Sequence, residues 1–291
     1  MQRCMDKYRG LSEQSPPGEK IALELFKGRR FLHTLPLAWS AGIQFVTDMA
    51  ITWEAVPILM PSEAPLPVSI TLIDKAFQFA NFEAALMLPF LLRETSKRPQ
   101  VVQRVKAKGL SMIGYLGAPL DRATGDVYAE FIKVQGFLGS TEVGAMPIMV
   151  TEQRDWLSYR FHPRSGCHLE PWQGSSDTNM ELYELVFHRE FDVSEILFIF
   201  ESRPDIETYR SNDLYSKHPE KLDQWIFQGR AEDLVKDFNL TKFNAKQIEA
   251  MLEQEPGIRA ALMGGDGQKK PFLLLKANEN EAGNQHPRIL D

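Results

Sequence analysis

Between Arg30 and Gly144 the chain alternates short apolar runs with stretches of helical periodicity, and this alternation points to an α/β sheet with flanking helices. Arg30 to Leu37 and Ile51 to Met60 read as buried strands, each closed by a proline. Val68 to Leu92 places Ile70, Ile73, Phe77, Phe79, Phe82 and Leu86 at helical spacing, and a break near Asn81 predicts two helices there. Gly109 to Tyr115 reads as a strand, and Asp121 is placed to cap a helix running to about Val134.

After Gly144 the texture changes. Leu182 to Arg189, Ile196 to Glu201 and Trp225 to Gly229 are β-rich and separated by Pro, Gly, Asn and Asp, which predicts an antiparallel segment. A smaller α+β unit follows: a helix from about Asn244 to Gln254, then strands Ile258 to Met263 and Pro271 to Ala277 around the turn Gly264-Gly265-Asp266-Gly267. The expected division is a polar lead-in (1–27), a large domain of mixed sheets (28–228) and a small domain (229–291), with the boundary at Gln228 to Asp233.

Composition removes several classes of function. A net charge of −6 argues against a nucleic-acid partner, because phosphate-backbone binding needs a surplus of Lys and Arg. The apolar stretch Phe82 to Leu92 is broken by Glu83 and Pro89, far short of the roughly 20 residues that span a bilayer. With Cys4 and Cys167 the only cysteines, and with Met1 to Gly10 charged, the reading is a cytoplasmic protein without a disulfide framework or membrane partner. His162, Cys167 and His168 are one ligand short of a zinc set.

Three segments carry chemistry. In Gly139-Ser140-Thr141-Glu142-Val143-Gly144 the glycines let the backbone approach a ligand, the Ser140 and Thr141 hydroxyls can donate to phosphate oxygens, and the Glu142 carboxylate can hold Mg²⁺. About seventy positions on come Tyr209-Arg210-Ser211-Asn212-Asp213 and then Gly229-Arg230-Ala231-Glu232-Asp233. In order and spacing, with Gly117-Ala118-Pro119-Leu120, Glu184-Leu185-Val186 and Ile258 to Leu262, these resemble the nucleotide site of adenylate-forming (AMP-binding) enzymes. The likeness is to the adenylation domains of fungal adenylate-forming reductases and synthetase-like proteins, and it runs collinearly from Gly28 to Ala277.

That resemblance implies a partial adenylate-forming large domain followed by part of its small C-terminal domain, with ATP or AMP and Mg²⁺ as cofactors. Gly117, Ala118 and Pro119 would lie against adenine, while Ser140, Thr141 and Glu142 would meet the α-phosphate and the metal. Asp213 would accept from the ribose hydroxyls, Arg230 would contact ribose or phosphate, and Glu232 would be the hinge of the small domain. Trp39 stands at the family's acyl-pocket gate, and with Tyr115 and Phe137 it makes a candidate substrate pocket.

The implied reaction activates a carboxylic acid as an acyl-adenylate for thioester transfer or reduction in secondary metabolism, with a carrier protein or reductase as partner. Nothing from Met1 to Lys27 resembles the family's phosphate loop, and Lys269 and Lys270 do not match its catalytic lysine. Leu240 stands where the hinge-domain loop usually has glycine. Catalytic residues are therefore left unassigned, and activity is expected to need parts outside residues 1–291. The alternative is a catalytically silent remnant that binds nucleotide or a protein partner.

Overall fold

The computed structural model describes residues 2–65, 68–172, 181–189, 197–236, 242–265 and 271–277. Two compact units emerge, one of residues 1–167 with 188–209 and the other of residues 168–187 with 210–291.

The first unit is built on a five-stranded parallel sheet in the order β2-β1-β3-β4-β5. Its elements run α1 (Gln2–Glu13), β1 (Arg30–His33), α2 (Ser40–Trp53), β2 (Val56–Leu59), α3 (Ile70–Phe79), β3 (Ala84–Met87), α4 (Pro89–Ser96), α5 (Pro99–Lys108), β4 (Met112–Tyr115), α6 (Arg122–Ala129) and β5 (Lys133–Gly136). A small hairpin of β6 (Gly139–Ser140) and β7 (Gly144–Ala145) follows, then the antiparallel pair β8 (Ile148–Met149) and β9 (Ser158–Phe161). β3 and β4 are buried at every position, as the interior of a parallel sheet covered on both faces requires. β2 lies at the edge and is half exposed, which accommodates Pro57 without loss of an interior ladder bond.

Several sequence expectations are corrected here. Phe82 to Leu92 contains β3 followed by α4, because a strand buried on both faces shows no alternation and Pro89 opens the helix at its first turn. Ile51 to Trp53 completes α2, which Glu54 closes in the left-handed region at φ 54°, so only Val56–Leu59 is strand. Asp121 does cap α6, accepting from Thr124 N at 2.9 Å, but the helix stops at Ala129 and Val134 belongs to β5. Phe198–Ser202 is a short helix, α7, where a strand was expected. The stretch expected as a polar lead-in contains α1, with Tyr8 and Leu11 buried, and then buries Ile21, Ala22 and Phe26.

In the second unit β10 (Cys167–Pro171), β11 (Tyr183–His188), β12 (Thr208–Lys217) and β13 (Trp225–Arg230) lie side by side in that order. β12 and β13 are antiparallel, as the sequence predicted for this region. β14 (Leu234–Lys236) pairs with β15 (Lys242–Asn244), and the antiparallel β16 (Ile258–Gly264) and β17 (Phe272–Ala277) pack with α8 (Ala245–Leu252). Glu249 ties α8 to β16: one oxygen accepts from Met263 N at 2.8 Å, the other from Lys246 Nζ at 2.8 Å. Leu240, Lys269, Lys270 and the second half of the expected Gly264–Gly267 turn, Asp266 and Gly267, lie outside the described residues. Among the described residues no helix is long and apolar enough to cross a membrane.

Candidate functional site

In the first unit Tyr115 and Gly136, the last residues of β4 and β5, are ladder partners. The segments leaving them therefore emerge side by side at the carboxyl edge of the sheet, where open α/β folds place their ligands. Gly117, Ala118 and Pro119 follow β4 and are exposed. Past β5 the chain folds into the β6–β7 hairpin, with Gly139 opposite Ala145 and Ser140 opposite Gly144.

The hairpin needs its glycines. Gly144 sits at φ 77°, and a Cβ there would stand 2.9 Å from the Phe198 ring; a Cβ on Gly139 would stand 2.8 Å from the Gly144 carbonyl oxygen. With Val143 buried and its N–H donated to Ser140 Oγ at 3.3 Å, the tip presents Ser140, Thr141 and Glu142 to solvent. No group of three His, Cys, Asp or Glu gathers into a metal cage among the described residues. Glu142 is an exposed oxygen donor at the tip, of the kind Mg²⁺ takes when phosphate and water supply its other ligands.

The three candidate pocket residues have different surroundings. Trp39, at the N-cap of α2, is 49% exposed. Tyr115 is buried with its hydroxyl 3.4 Å from that of Tyr159, and Phe137 packs in a ring cluster with Phe26 at 5.6 Å and Phe45 at 5.7 Å. Sequence reading missed His33, which ends β1 and lines a cavity of about 180 Å³ with Leu35, Leu37, Leu59 and Met60. Both of its ring nitrogens are buried without a hydrogen-bond partner, and burial pulls its pKa down to about 4. The available signal was a polar residue continuing the inward run Phe31-Leu32.

In the second unit Asp213 and Arg230 are ladder partners on β12 and β13. Arg230 Nε lies 3.6 Å from Asp213 Oδ1, and Arg230 Nη2 reaches Glu232 Oε1 at 2.9 Å, so one guanidinium joins the residues expected to serve ribose binding and the hinge. The ladder shifts register after Leu214, which pairs with Gly229 while Tyr215 pairs with Phe227, leaving Gln228 as a bulge. Gly229 carries that irregularity at φ 114°, where a side chain would collide with Asn244 Nδ2. Arg210 reaches back to Glu184 Oε2 at 2.6 Å and also pairs with Glu170. Exposed pairs such as Arg230–Glu232 contribute about 0–1 kcal/mol, so their value lies in the geometry they hold.

No family model matches this chain. Among curated proteins it is 26% identical over 257 residues to a carboxylic acid reductase of Neurospora crassa, covering 87% of this chain and 24% of the relative. It is 25% identical over 251 residues to the adenylate-forming reductase Nps10 of Heterobasidion annosum, covering 85% and 22%. An ATP-bound RpMatB-BxBclM chimera superposes with a TM-score of 0.68 at 14% identity, over 97% of this chain and 55% of the other. The chain has the fold of the adenylate-forming enzymes. O-succinylbenzoate coenzyme A synthetase of Bacillus subtilis, in complex with AMP, shares this adenylate-forming fold with a TM-score of 0.64 at 15% identity, over 96% and 56%. The chain spans about a quarter of the curated relatives' length and about half of the solved structures it matches. The named curated relatives are a carboxylic acid reductase and an adenylate-forming reductase, both of fungi, and the expected likeness to fungal adenylate-forming reductases stands.

Proposed function

We propose that this chain is the nucleotide-binding part of a unit that activates a carboxylic acid. In that reaction a carboxylate oxygen attacks the α-phosphorus of ATP, the bond from that phosphorus to the bridging oxygen breaks, and pyrophosphate leaves with the electron pair. The product is an acyl-adenylate, ready for a thiol or a reductant.

The observation that carries the reading is the hairpin leaving β5, whose tip exposes two hydroxyls and one carboxylate at the carboxyl edge of a parallel sheet. Ser140 and Thr141 donate to α-phosphate oxygens, and Glu142 holds one position on Mg²⁺. When bound, that ion neutralises charge on the phosphates as pyrophosphate departs. Gly117, Ala118 and Pro119 line the adenine. Asp213 accepts from both ribose hydroxyls, because a carboxylate offers two acceptor oxygens, and Arg230 donates to ribose or phosphate.

Glu232 serves as the hinge about which residues 229–291 turn, bringing a carrier thiol or a reductase to the acyl-adenylate. Trp39, Tyr115 and Phe137 frame the acyl group.

The test is incubation of the chain, with the phosphate-loop and lysine-bearing segments of an adenylate-forming relative supplied in trans, with MgATP and a panel of aromatic and aliphatic carboxylic acids, read by mass spectrometry for acyl-AMP. An acid-dependent acyl-AMP signal supports activation. Nucleotide binding with no adduct from any acid would instead assign the chain a silent, nucleotide-holding role.

A further inference from the structure

We propose that Glu184 is a positioning residue for Asp213, an inference that rests on the nucleotide reading of that carboxylate. Asp213 follows Asn212, which sits at φ 63°; only Glu54 and Asn212 among the described non-glycine residues have positive φ. Asparagine tolerates the left-handed region better than most side chains, yet the conformation still costs free energy and must be held by its surroundings.

Two hydrogen bonds hold it. Asn212 N donates to Glu184 Oε1 at 3.3 Å, reaching across from β12 to β11, and Asp213 N donates to Ser211 Oγ at 3.1 Å. Ser211 is itself anchored, since its hydroxyl donates to Leu185 O at 2.8 Å on the same neighbouring strand. The backbone on both sides of the Asn212 turn is thus tied to residues 184 and 185, and the turn sets the direction in which Asp213 faces Arg230.

The surroundings of Glu184 suit this job. Its side chain is 7% exposed, and a carboxylate in such a place is costly unless every oxygen is used. Both are used: Oε2 accepts from Arg210 Nη1 at 2.6 Å, and Oε1 takes the Asn212 N–H. Packing between strands alone would be served as well by leucine or methionine. Arg210, paired on its other side with Glu170, fixes the carboxylate so that the second oxygen meets the turn.

The experiment compares AMP affinity by calorimetry, thermal midpoint and amide hydrogen exchange for the unmodified chain, Glu184→Met, Glu184→Gln, Glu184→Met/Asn212→Gly and Asp213→Ala. Methionine keeps volume but removes both acceptors, so AMP binding should weaken about tenfold, the loss of one well-made hydrogen bond. Glutamine keeps one acceptor oxygen and should stay within about twofold of the unmodified chain. Adding Asn212→Gly to the methionine variant removes the cost of positive φ, and glycine's greater freedom in the unfolded chain offsets the gain in stability, so affinity should recover at least about threefold with the thermal midpoint moving by no more than about 2 °C.

Hydrogen exchange across Ser211–Asp213 should accelerate in Glu184→Met while β16 and β17 keep their protection, a readout independent of nucleotide. Unchanged exchange at that turn, or methionine and glutamine variants that bind AMP alike, would overturn the inference. So would a loss of affinity that follows the thermal midpoint and ignores the glycine. If Asp213→Ala binds AMP as the unmodified chain does, the nucleotide reading itself fails; if it does not while Glu184→Met binds normally, only the positioning role fails.

Discussion

Asp213 and Arg230 face each other as partners in the β12–β13 ladder, with 3.6 Å between the carboxylate and the guanidinium Nε. Arg230 also holds Glu232 at 2.9 Å, immediately past the end of β13. Bound ribose or phosphate would draw on a guanidinium whose fork is already aimed by two carboxylates.

Arg230→Lys keeps the charge and loses the fork. AMP affinity should fall about tenfold, because a point charge cannot replace two directed donors. The thermal midpoint should move by no more than about 2 °C, since the pair is exposed. Calorimetric titration and a melting curve check both parts, and an unchanged affinity would remove Arg230 from the site.

Gly144→Ala places a methyl group against the Phe198 ring at 2.9 Å and forces alanine to φ 77°. The expected cost is about 1–3 kcal/mol, read as a lower midpoint in urea. Ser140→Ala removes the hydroxyl at the hairpin tip that also accepts the Val143 N–H, so it should weaken MgATP binding and cost about 1 kcal/mol of stability.

His33 supplies a dependence on pH. Its folded pKa is held at about 4 by burial, below the ordinary 6.5, so the folded chain keeps the ring neutral while the unfolded chain protonates it first. The unfolded state then binds more protons between these values, and stability falls as pH drops from 6.5 towards 4. From this group alone the loss should reach about 2 kcal/mol by pH 5. His33→Leu should flatten that part of the profile and leave neutral-pH stability equal or higher, because two unpartnered nitrogens are removed. Urea midpoints at pH 5 and pH 7 for both chains measure it, and parallel profiles would contradict it.

Asp121 ties α4 to the first turn of α6. One carboxylate oxygen caps Thr124 N at 2.9 Å and the other meets Arg93 Nε at 3.0 Å. Asp121→Ala should cost about 1–2 kcal/mol in urea denaturation. Asp121→Asn preserves the cap and should recover most of it.

What the sequence revealed followed the range of the physics involved. The Asp121 cap, β4, β11, β13 and the α8–β16–β17 unit were legible because caps, alternation and glycine turns act over a few residues. β3 was read as helix because Ala84-Ala85-Leu86-Met87 is apolar on both faces and has no period to betray it. α1 was missed because its buried face is sparse, with Tyr8 and Leu11 set among charges.

The hairpin at Gly139–Gly144 was legible as letters, while its geometry depends on Phe198, more than fifty residues away. The tie from Glu184 to Asn212 crosses between strands and leaves no local trace. The isolation of His33 arises only when β1 and β2 are assembled side by side.

The most direct test is calorimetric titration of AMP and MgATP into the 291-residue chain beside its Asp213→Ala variant. The account predicts saturable binding by the unmodified chain and at least about a tenfold loss in the variant, the expected cost of removing a charged hydrogen-bonding partner. Equal binding by two chains with the same melting behaviour, or none by either, would contradict it.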